Sequence, residues 1–540
     1  MSIGWLLVPV GLSIAIGVSI FRRQASRREY LALFRASWGQ PDPLRRRDLE
    51  SIGALPALAG PLRIDDATWA DLDLDALFQQ LDRTLTEPGQ QALHQWLRTP
   101  TDDVGALERR SCAMRALEQS APLREDLQLR LVRLGSAPQG VFVRLLRTIL
   151  PSLPLPAVAY RALALASFCT LGAFAYGAQY GFLLAAVAYA LDAVAHYWAL
   201  RHVTAALPGF VALQELLGAA QRLVEKPMPG LEPEQAAIRA QLEGVQEVAA
   251  AVATIGSARI GDEALAEYFD IFMLRQERLF CNAAPIVAVR AQALADLALR
   301  VGELDALQAL ASWRSGLSWC QPELGAGAAI LARGVRHPLV VNCVPNDVRL
   351  SPAVLVTGSN MSGKSTYLRA VALNALLAQV TFTCLAEFWS GPPVRLMTCL
   401  RRADSVLAGR SAYLAEAQGV LDILKFAGAQ PRLLCVLDEI FRGTNSLERV
   451  AAAAEVLRWL PAQGALVLAA THDHALTECA GFDNVHFTGR VSAQGIAFDH
   501  LLKPGPASTT NAIALLRFLG FPEGIVDAAE KARAAMTSRE

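Results

Sequence analysis

Two long apolar stretches interrupt an otherwise mixed chain. The first, residues 2–21, has no charged side chain and is followed by five arginines within residues 22–35. About 20 apolar residues are enough for a helix to cross a bilayer. A basic flank after such a segment indicates that the following chain stays inside, whereas a cleaved signal peptide carries its charges before the apolar run. The pattern predicts an uncleaved transmembrane anchor at 1–21, with a buried N-terminal helix as the alternative.

The second apolar stretch, residues 157–200, has only Arg161, Asp192 and His196 as acidic, basic or imidazole side chains. It is too long for one spanning helix and about right for two, and residues 176–181 supply a glycine-containing turn at its midpoint. The stretch predicts a transmembrane helical hairpin at 157–200, with a hairpin buried in protein as the alternative. Asp192 would pair locally, lie near the headgroups or have a function of its own, because a carboxylate is costly in lipid.

The rest of the chain follows two different patterns. Residues 61–156 and 201–320 show the apolar spacing of helices. From about residue 321, short apolar runs alternate with helical stretches, which is typical of an α/β domain with a largely parallel sheet. These runs are 353–357, 433–437 and 465–471. The fold class predicted is therefore multidomain, α and α/β.

Composition narrows the classes of function. The chain of 540 residues has 50 Lys and Arg and 50 Asp and Glu, so its formal net charge is zero. This excludes a uniformly basic coat for nucleic acid, although not a local basic patch. Only 19% of residues are charged and 53% are hydrophobic, which agrees with membrane segments. The nine cysteines are scattered without a CxxC pair, which favours reduced thiols and argues against a zinc site.

A candidate phosphate-binding loop occupies residues 358–366. Its sequence, GSNMSGKST, fits GxxxxGK[ST] and lies between a strand candidate and a helical stretch, which is the context that this motif requires. Backbone N–H groups and the helix N-terminus would hold phosphate oxygens. Lys364 would reach the β- and γ-phosphates of ATP, and Ser365 would hold Mg²⁺. The residues predicted to bind the nucleotide are Gly358, Ser359, Asn360, Met361, Ser362, Gly363, Lys364, Ser365 and Thr366.

Two further strand ends carry polar side chains. The run 433–437 ends in Asp438 and Glu439. Asp438 would bind Mg²⁺ through water, and Glu439 would orient or deprotonate the attacking water. The run 465–471 is followed by His472, which would face the ligand crevice, hydrogen-bond the γ-phosphate and sense its loss. The alternatives are a helix cap for the acidic pair and a purely structural role for His472.

These motifs, in this order, resemble those of the MutS family of DNA mismatch-repair ATPases. Residues 357–366 are similar to the family's TGPNMGGKST, with Ser359 in place of proline and Ser362 in place of glycine. The other similar segments are 438–445 (DEIGRGTS in the family), 409–416 (GRSTFMVEM), Thr471-His472 (the TH switch), 336–338 with 345–347 (the lead-in), Gly505 with Asn511-Ala512 (the closing segment) and 66–100 (the start of the helical core). The resemblance covers about 60–540 and is strongest over 335–515.

The resemblance implies a helical core, or lever, domain followed by an ABC-type P-loop ATPase domain that works as a homodimer. In the family, ATP lies between two subunits, and the signature serine of one subunit contacts the γ-phosphate held by the other. Ser411 would take that role. An aromatic side chain that stacks on adenine in many members aligns with Cys343, so the base pocket is expected to differ. The family's mismatch-reading domain is expected to be absent, so mismatch recognition itself is not expected.

The expected domain order combines these observations. It consists of an anchor (1–21), a basic juxtamembrane linker (22–60), the first part of the helical core (61–156), the hairpin (157–200), the second part of the core (201–320) and the ATPase domain (321–540). The two parts of the core must pack in one compartment, so the hairpin must return the chain to the side that it left. With the anchor, this predicts three crossings of a bacterial inner membrane, with the core and the ATPase domain facing the cytoplasm.

The function expected is a membrane-anchored, dimeric, MutS-like ATPase that uses ATP and Mg²⁺ as a switch. DNA binding stays open, because the arginine-rich stretches 22–47, 109–115 and 124–133 are equally typical of membrane-surface contacts or solvated helix faces. One alternative is a transporter-type ATPase, although residues 409–411 do not resemble the LSGGQ signature of that class. Another is a nucleotide-gated membrane scaffold that binds no DNA.

Overall fold

The computed structural model describes most of the chain. The described residues are 25–41, 51–53, 62–136, 140–147, 150–252, 268, 270–359, 362–400, 412–429, 432–441, 445–478, 481–492, 495–507, 513, 516–517 and 519–537. The expected anchor at 1–21 lies outside them, as do the expected site residues Asn360, Met361 and Ser411.

The described residues form two compact units. The first consists of those in Met1–Ala57, Asp82–Gln95 and Cys112–Ser315, and the second of those in Leu58–Leu81, Trp96–Ser111 and Gly316–Glu540. The helices are α1 Asp66–Asp71, α2 Leu74–Leu81, α3 Glu87–Arg98, α4 Val104–Gln119, α5 Ala121–Leu131, α6 Val141–Arg147, α7 Ala157–Ala175, α8 Gly181–Val203, α9 Leu207–Glu225, α10 Glu232–Gly244, α11 Gln246–Val252, α12 Arg275–Val289, α13 Ala291–Ser315, α14 Lys364–Val380, α15 Ala412–Leu424, α16 Ser446–Ala462, α17 His474–Thr477 and α18 Glu523–Thr537. The strands are β1 Glu323–Leu324, β2 Ile330–Val335, β3 Asn346–Leu350, β4 Ala353–Gly358, β5 Phe388–Gly391, β6 Val394–Cys399, β7 Arg432–Asp438, β8 Leu466–Ala470, β9 Asp483–Ser492 and β10 Gly495–Pro504.

The first unit is helical and is organised around α13. Residues 304–314 of this helix are all buried, which is typical of a helix inside a core. The buried Asp305 carboxylate accepts hydrogen bonds from the backbone N–H groups of Leu85 and Thr86, at 2.9 and 2.8 Å. The buried Arg314 guanidinium pairs with Glu118 at 2.7 Å. Buried charges of α13 are thus paired, as burial requires.

The predicted hairpin is present as two helices, α7 and α8, joined by a short turn. Their 19 and 23 residues are long and apolar enough to cross a membrane, by length and composition alone. Only 17% and 22% of their most apolar windows is buried, whereas the core helix of a soluble protein would be mostly buried. The two helices therefore fit the hairpin prediction, and the crossing of a membrane stays a prediction.

The second unit contains two sheets. The larger has the order β10-β9-β4-β8-β7-β6, in which β9, β4, β8, β7 and β6 are parallel and β10 is antiparallel at the edge. The smaller, mixed sheet has the order β1-β5-β2-β3. Strands β4, β7 and β8 coincide with the predicted apolar runs, because parallel strands buried on both faces read as continuous hydrophobic sequence. The α/β prediction for this part of the chain is confirmed.

The short helix α1 also belongs to the second unit. The Asp71 carboxylate of α1 accepts a hydrogen bond from the Thr398 hydroxyl and another from the Leu400 backbone N–H, both at 2.8 Å. The expected domain borders assigned 61–156 as a whole to the helical core. The structure instead groups 62–81 and 96–111 with the strands that follow residue 316. The contacts of Asp71 join α1 to the end of β6 within this unit.

Candidate nucleotide site

The carboxyl ends of three parallel strands, β4, β7 and β8, meet at one edge of the larger sheet. The backbone N–H of Thr471, after β8, donates to Val356 O at 3.0 Å, and that of Glu439, after β7, donates to Ala470 O at 2.9 Å. In open α/β sheets, ligands bind at this edge. The strand order therefore brings the three predicted polar segments together.

Two glycines of the glycine-rich loop after β4 have backbone conformations that other residues rarely adopt. Gly358 has φ 139°, and a Cβ there would lie 2.5 Å from Phe487 O. Gly363 has φ 114° and precedes the first residue of α14. Because L-residues rarely adopt such φ values, glycine is the residue that lets the loop turn back towards the helix.

Lys364, the first residue of α14, turns its side chain into the curve of this loop. Its ammonium group donates to Gly358 O at 2.6 Å and to Ser359 O at 3.1 Å, and the residue is 5% exposed. A buried ammonium is stable only where it is paired or hydrogen-bonded. Carbonyl oxygens thus hold the positive charge at the place where an anion would bind.

Ser365 and Asp438 form the second part of the site. The Ser365 hydroxyl donates to Asp438 Oδ2 at 2.6 Å, joining the start of α14 to the end of β7. A hydroxyl and a carboxylate are oxygen ligands of the type that Mg²⁺ prefers, directly or through water. This pair, which the sequence predicted as the metal site, therefore has the chemistry that a magnesium ion requires.

Glu439 and His472 lie beside each other at the same edge. Glu439 has φ 52° and is 6% exposed, and its Oε2 lies 3.2 Å from Nδ1 of His472, whose side chain is half-exposed. The helix-cap alternative for the acidic pair does not apply, since α16 is capped by the Asn445 side chain, which accepts from the Leu447 N–H at 3.2 Å. The carboxylate and the imidazole thus lie within hydrogen-bonding distance of each other at the carboxyl ends of the strands.

A cavity of about 650 Å³ adjoins Lys364, Ser365 and Glu439. Its lining includes Lys364, Ser365, Glu439, Cys343 and His500. This volume is in the range of small-molecule and cofactor sites. Besides the ammonium and the hydroxyl, the lining includes the apolar side chains of Val335, Val340 and Val344. The donor set and the shape fit a nucleotide with its phosphates at the loop.

Comparisons with known proteins agree with this geometry. Residues 354–537 match the family model described as MutS domain V. The DNA mismatch repair protein MutS of Thermus aquaticus is 30% identical over 552 aligned positions, which cover 88% of this chain and 64% of that protein.

Residues 354–537 belong to the MutS domain V family, and the chain is similar to MutS proteins over most of its length.

Two other MutS relatives show the same pattern of partial coverage. The DNA mismatch repair protein MutS of a Thermus thermophilus strain is 29% identical over 532 positions, covering 86% of this chain and 61% of that protein. The corresponding protein of Natronomonas pharaonis is 36% identical over 280 positions, covering 49% of this chain and 32% of that protein. The chain thus spans between about a third and two thirds of the length of these MutS proteins. The family resemblance expected from the motifs is confirmed.

The MutS motifs predicted the phosphate edge but not His500, which lines the same cavity. A register shift between Phe498 and Leu502 interrupts the β9–β10 pairing. His500, inside this irregularity, has φ 53° and places Nδ1 at 3.0 Å from Ser362 O in the glycine-rich loop. No apolar pattern marks a bulge, so the sequence contained no signal for this approach.

Asn346, in the lead-in segment of the MutS resemblance, explains how His500 is held. The Asn346 amide donates to His500 O at 2.9 Å and accepts from the Leu502 N–H at 2.7 Å. It therefore bonds both sides of the irregular part of β10. The sequence pointed to this residue through its motif alone, without a role.

Cys343, where an aromatic side chain was expected from the MutS resemblance, lies in the cavity wall. Its Sγ accepts from the His337 backbone N–H at 3.3 Å. His337 is buried, and burial lowers the pKa of its imidazole to about 4, so that Nδ1 accepts from the Leu339 N–H at 3.1 Å as a neutral ring. A thiol at this position is smaller and more polarizable than an aromatic ring, and it offers no flat surface for a base to stack on.

Proposed function

We propose that this MutS-like protein binds ATP with Mg²⁺ and hydrolyses it. The observation that carries the proposal is the cavity lined by Lys364, Ser365 and Glu439. Asp438 is hydrogen-bonded to Ser365, and His472 lies beside Glu439. Positive charge, metal ligands and a candidate base are the three elements that phosphoryl transfer from a nucleotide requires.

Each side chain then has a distinct task. Lys364 would exchange its bonds to Gly358 O and Ser359 O for bonds to phosphate oxygens, with no change in its position at the start of α14. Ser365 and Asp438 would hold Mg²⁺, which neutralises phosphate charge when bound. Glu439 would accept a proton from, or orient, the attacking water. His472 would hydrogen-bond the terminal phosphate and transmit its loss through its contact with Glu439.

We also propose that two copies of the chain share the nucleotide. The MutS resemblance places the signature serine, Ser411, at the nucleotide of the other copy, so that hydrolysis would depend on dimerisation. DNA binding is proposed because the relatives are DNA mismatch repair proteins. The nucleotide-gated scaffold without DNA binding is the alternative. Attachment to a membrane through the hairpin is supported by the exposure of α7 and α8.

The test is ATP hydrolysis by the detergent-solubilised full chain. Mg²⁺-dependent turnover that EDTA abolishes is expected, and its absence under all conditions would refute the ATPase proposal. Homoduplex and mismatched DNA are then added over a series of salt concentrations. Stimulation that weakens steeply with salt supports DNA contact through phosphates, whereas turnover indifferent to both DNAs supports the scaffold.

A further inference from the structure

Burial divides the hairpin into two halves. In the half nearest its ends, each helix has one buried face: Tyr160, Ala164 and Ser167 on α7, and Asp192, Ala195, His196, Ala199 and Val203 on α8. In residues 168–191, all of which the structure describes, only Gly181 at the turn is buried. We call 157–167 with 192–203 the base and 168–191 the distal half. The protein therefore covers the base and leaves the distal half bare.

Polar contacts mark the border between the two halves. The Ser167 hydroxyl donates to Asp192 Oδ2 at 2.5 Å, which joins α7 to α8. Four residues further along α8, His196 Nδ1 lies 2.6 Å from Glu277 Oε1 on α12. Asp192, His196 and Glu277 are each less than 5% exposed. The base is thus tied to a third helix by buried polar groups, and the distal half begins directly beyond them.

Helix α12 brings charged residues close to the border between the base and the distal half. It lies against α7, and just before it starts, the ring of Phe272 packs on Phe168 with centroids 5.2 Å apart. Arg275 and Arg278, in the first turns of α12, are partly exposed. Any lipid in contact with the hairpin beyond Phe168 would therefore stop where these guanidinium groups begin.

The length of the distal half matches one leaflet. At 1.5 Å per residue, its eight helical residues on α7 and eleven on α8 extend about 12 and 16 Å. Half of a hydrocarbon core is about 15 Å thick. The distal half contains no charged residue, and large apolar side chains point outward from it, including Leu171, Phe174, Phe182, Leu183, Val187 and Leu191.

A full crossing of the bilayer by α7 and α8 would place charged side chains in its hydrocarbon core. With the turn at the far headgroups, the partly exposed Arg275 and Arg278 would lie near the middle of the bilayer, where charged groups are costly. With insertion into one leaflet, the turn lies there instead. Its first N–H groups are already bonded internally, since Gly177 N donates to Phe174 O at 3.0 Å and Ala178 N to Ala173 O at 3.1 Å. A turn whose backbone groups are partly bonded internally costs less than two partly exposed guanidinium groups.

We propose that the distal half inserts into the acyl chains of a single leaflet and does not cross the bilayer. Tyr197 and Trp198, exposed on the outer face of the base, then lie at the headgroups, where such aromatic side chains are enriched. The proposal rests on membrane attachment through the hairpin. It keeps both flanks of the hairpin on one side, as the packing of the helical unit requires, but with no crossing by α7 or α8.

Depth-dependent fluorescence quenching tests the proposal. A fluorescent amino acid replaces Tyr176 at the turn or Val194 at the border, in the full chain reconstituted into phosphatidylcholine–phosphatidylglycerol vesicles. Lipids carry a spin label either at the headgroup or near the acyl end. Insertion into one leaflet predicts that the deep label quenches position 176 more strongly and the headgroup label quenches position 194 more strongly. A label at Val289, an exposed residue at the far end of α12, is the control and should lose no fluorescence.

The reverse pattern, with position 176 quenched by the headgroup label and position 194 by the deep label, would establish a full crossing and overturn the proposal. No quenching at either position would overturn both the single-leaflet insertion and attachment through the hairpin. Circular dichroism of each labelled protein shows whether it keeps the helical content of the unlabelled chain. ATP turnover, measured on the same vesicles, separates these outcomes from failure of the ATPase proposal.

Discussion

The same pair of side chains, a serine hydroxyl donating to an aspartate carboxylate, occurs at two places in this protein. Ser365 and Asp438 are 2.6 Å apart at the edge of the larger sheet, and Ser167 and Asp192 are 2.5 Å apart in the hairpin. Both aspartates are nearly inaccessible, at 6% and 1% exposure. The hydrogen bond alone therefore does not distinguish a ligand site from a structural contact.

The surroundings make the difference. Ser365 opens onto a cavity of about 650 Å³ and lies next to the Lys364 ammonium. The Ser167 hydroxyl lies between two helices in an apolar environment. Its bond to Asp192 gives each of these two buried polar groups a hydrogen-bond partner. A buried pair that faces a cavity and a positive charge has unused capacity for a ligand, whereas a pair whose groups satisfy each other mainly fixes the packing of helices.

Turnover should respond most strongly to Glu439→Gln. The amide keeps the shape of the side chain but does not take up a proton, so hydrolysis should fall by about 10²–10⁴-fold, while ATP binding is kept. Steady-state turnover and binding of a fluorescent ATP analogue measure the two effects. Equal turnover in the variant and the wild type would exclude Glu439 as the base.

Lys364→Ala should remove the main attraction for phosphate at the sheet edge. Hydrogen bonds to charged groups contribute about 1.5–3 kcal/mol each, so the affinity for ATP should fall by roughly 10–100-fold or more. Lys425→Ala is a matched control, because this lysine makes an exposed ion pair with Asp422 and does not line the cavity. Unchanged nucleotide affinity in Lys364→Ala would show that the loop does not hold phosphate.

The two aspartates can be compared directly by the same substitution. Asp438→Asn should reduce Mg²⁺-dependent turnover by about 10–100-fold, the usual effect of losing a group that holds metal-bound water. Asp192→Asn should leave turnover unchanged, since its amide oxygen still accepts from Ser167, and should lower stability by no more than about 1–2 kcal/mol. Magnesium titrations and thermal unfolding measure these effects. If Asp192→Asn reduced turnover as much as Asp438→Asn, the hairpin pair would belong to the reaction and the contrast would fail.

His337 provides a smaller effect, on stability rather than turnover. Burial lowers its pKa from 6.5 to about 4, so between these values the unfolded chain binds a proton that the folded chain does not. The contribution of His337 to the free energy of unfolding is therefore fully present above pH 6.5. It decreases as the pH falls towards 4, and the loss is about 2 kcal/mol at pH 5. His337→Asn keeps an acceptor for the Leu339 N–H and removes the titration. Thermal unfolding at pH 7 and pH 5 should show a smaller pH effect in the variant than in the wild type, and equal effects would contradict the assignment.

Features with a local chemical cause were predictable from the sequence. Strands β4, β7 and β8 are continuous apolar runs, and the polar residues at their ends follow because the chain must leave the sheet there. The turn between α7 and α8 was predictable from the glycines at 177 and 181. The roles of Lys364, Ser365 and Asp438 were inferred from motif spacing, and the structure places their side chains together.

Features that depend on distant pairing were not predictable. His500 reaches the glycine-rich loop only because β10 is irregular, and the contact of His196 with Glu277 joins residues 81 positions apart. The depth of the hairpin depends on charges of α12, which the hydropathy of residues 157–200 alone does not contain. Ser411, Asn360 and Met361 lie outside the described residues, so their roles stay predictions.

The contact of Asp71 with Thr398 and Leu400 has a consequence for folding during synthesis on the ribosome. The two ends of this contact are separated by 327 and 329 residues. At a synthesis rate of about 5–20 residues per second, α1 emerges roughly 15–70 s before its partner strand exists. During that time the Asp71 carboxylate lacks the Thr398 hydroxyl and the Leu400 N–H as donors. A fragment that begins at residue 316 would likewise leave the end of β6 without its acceptor.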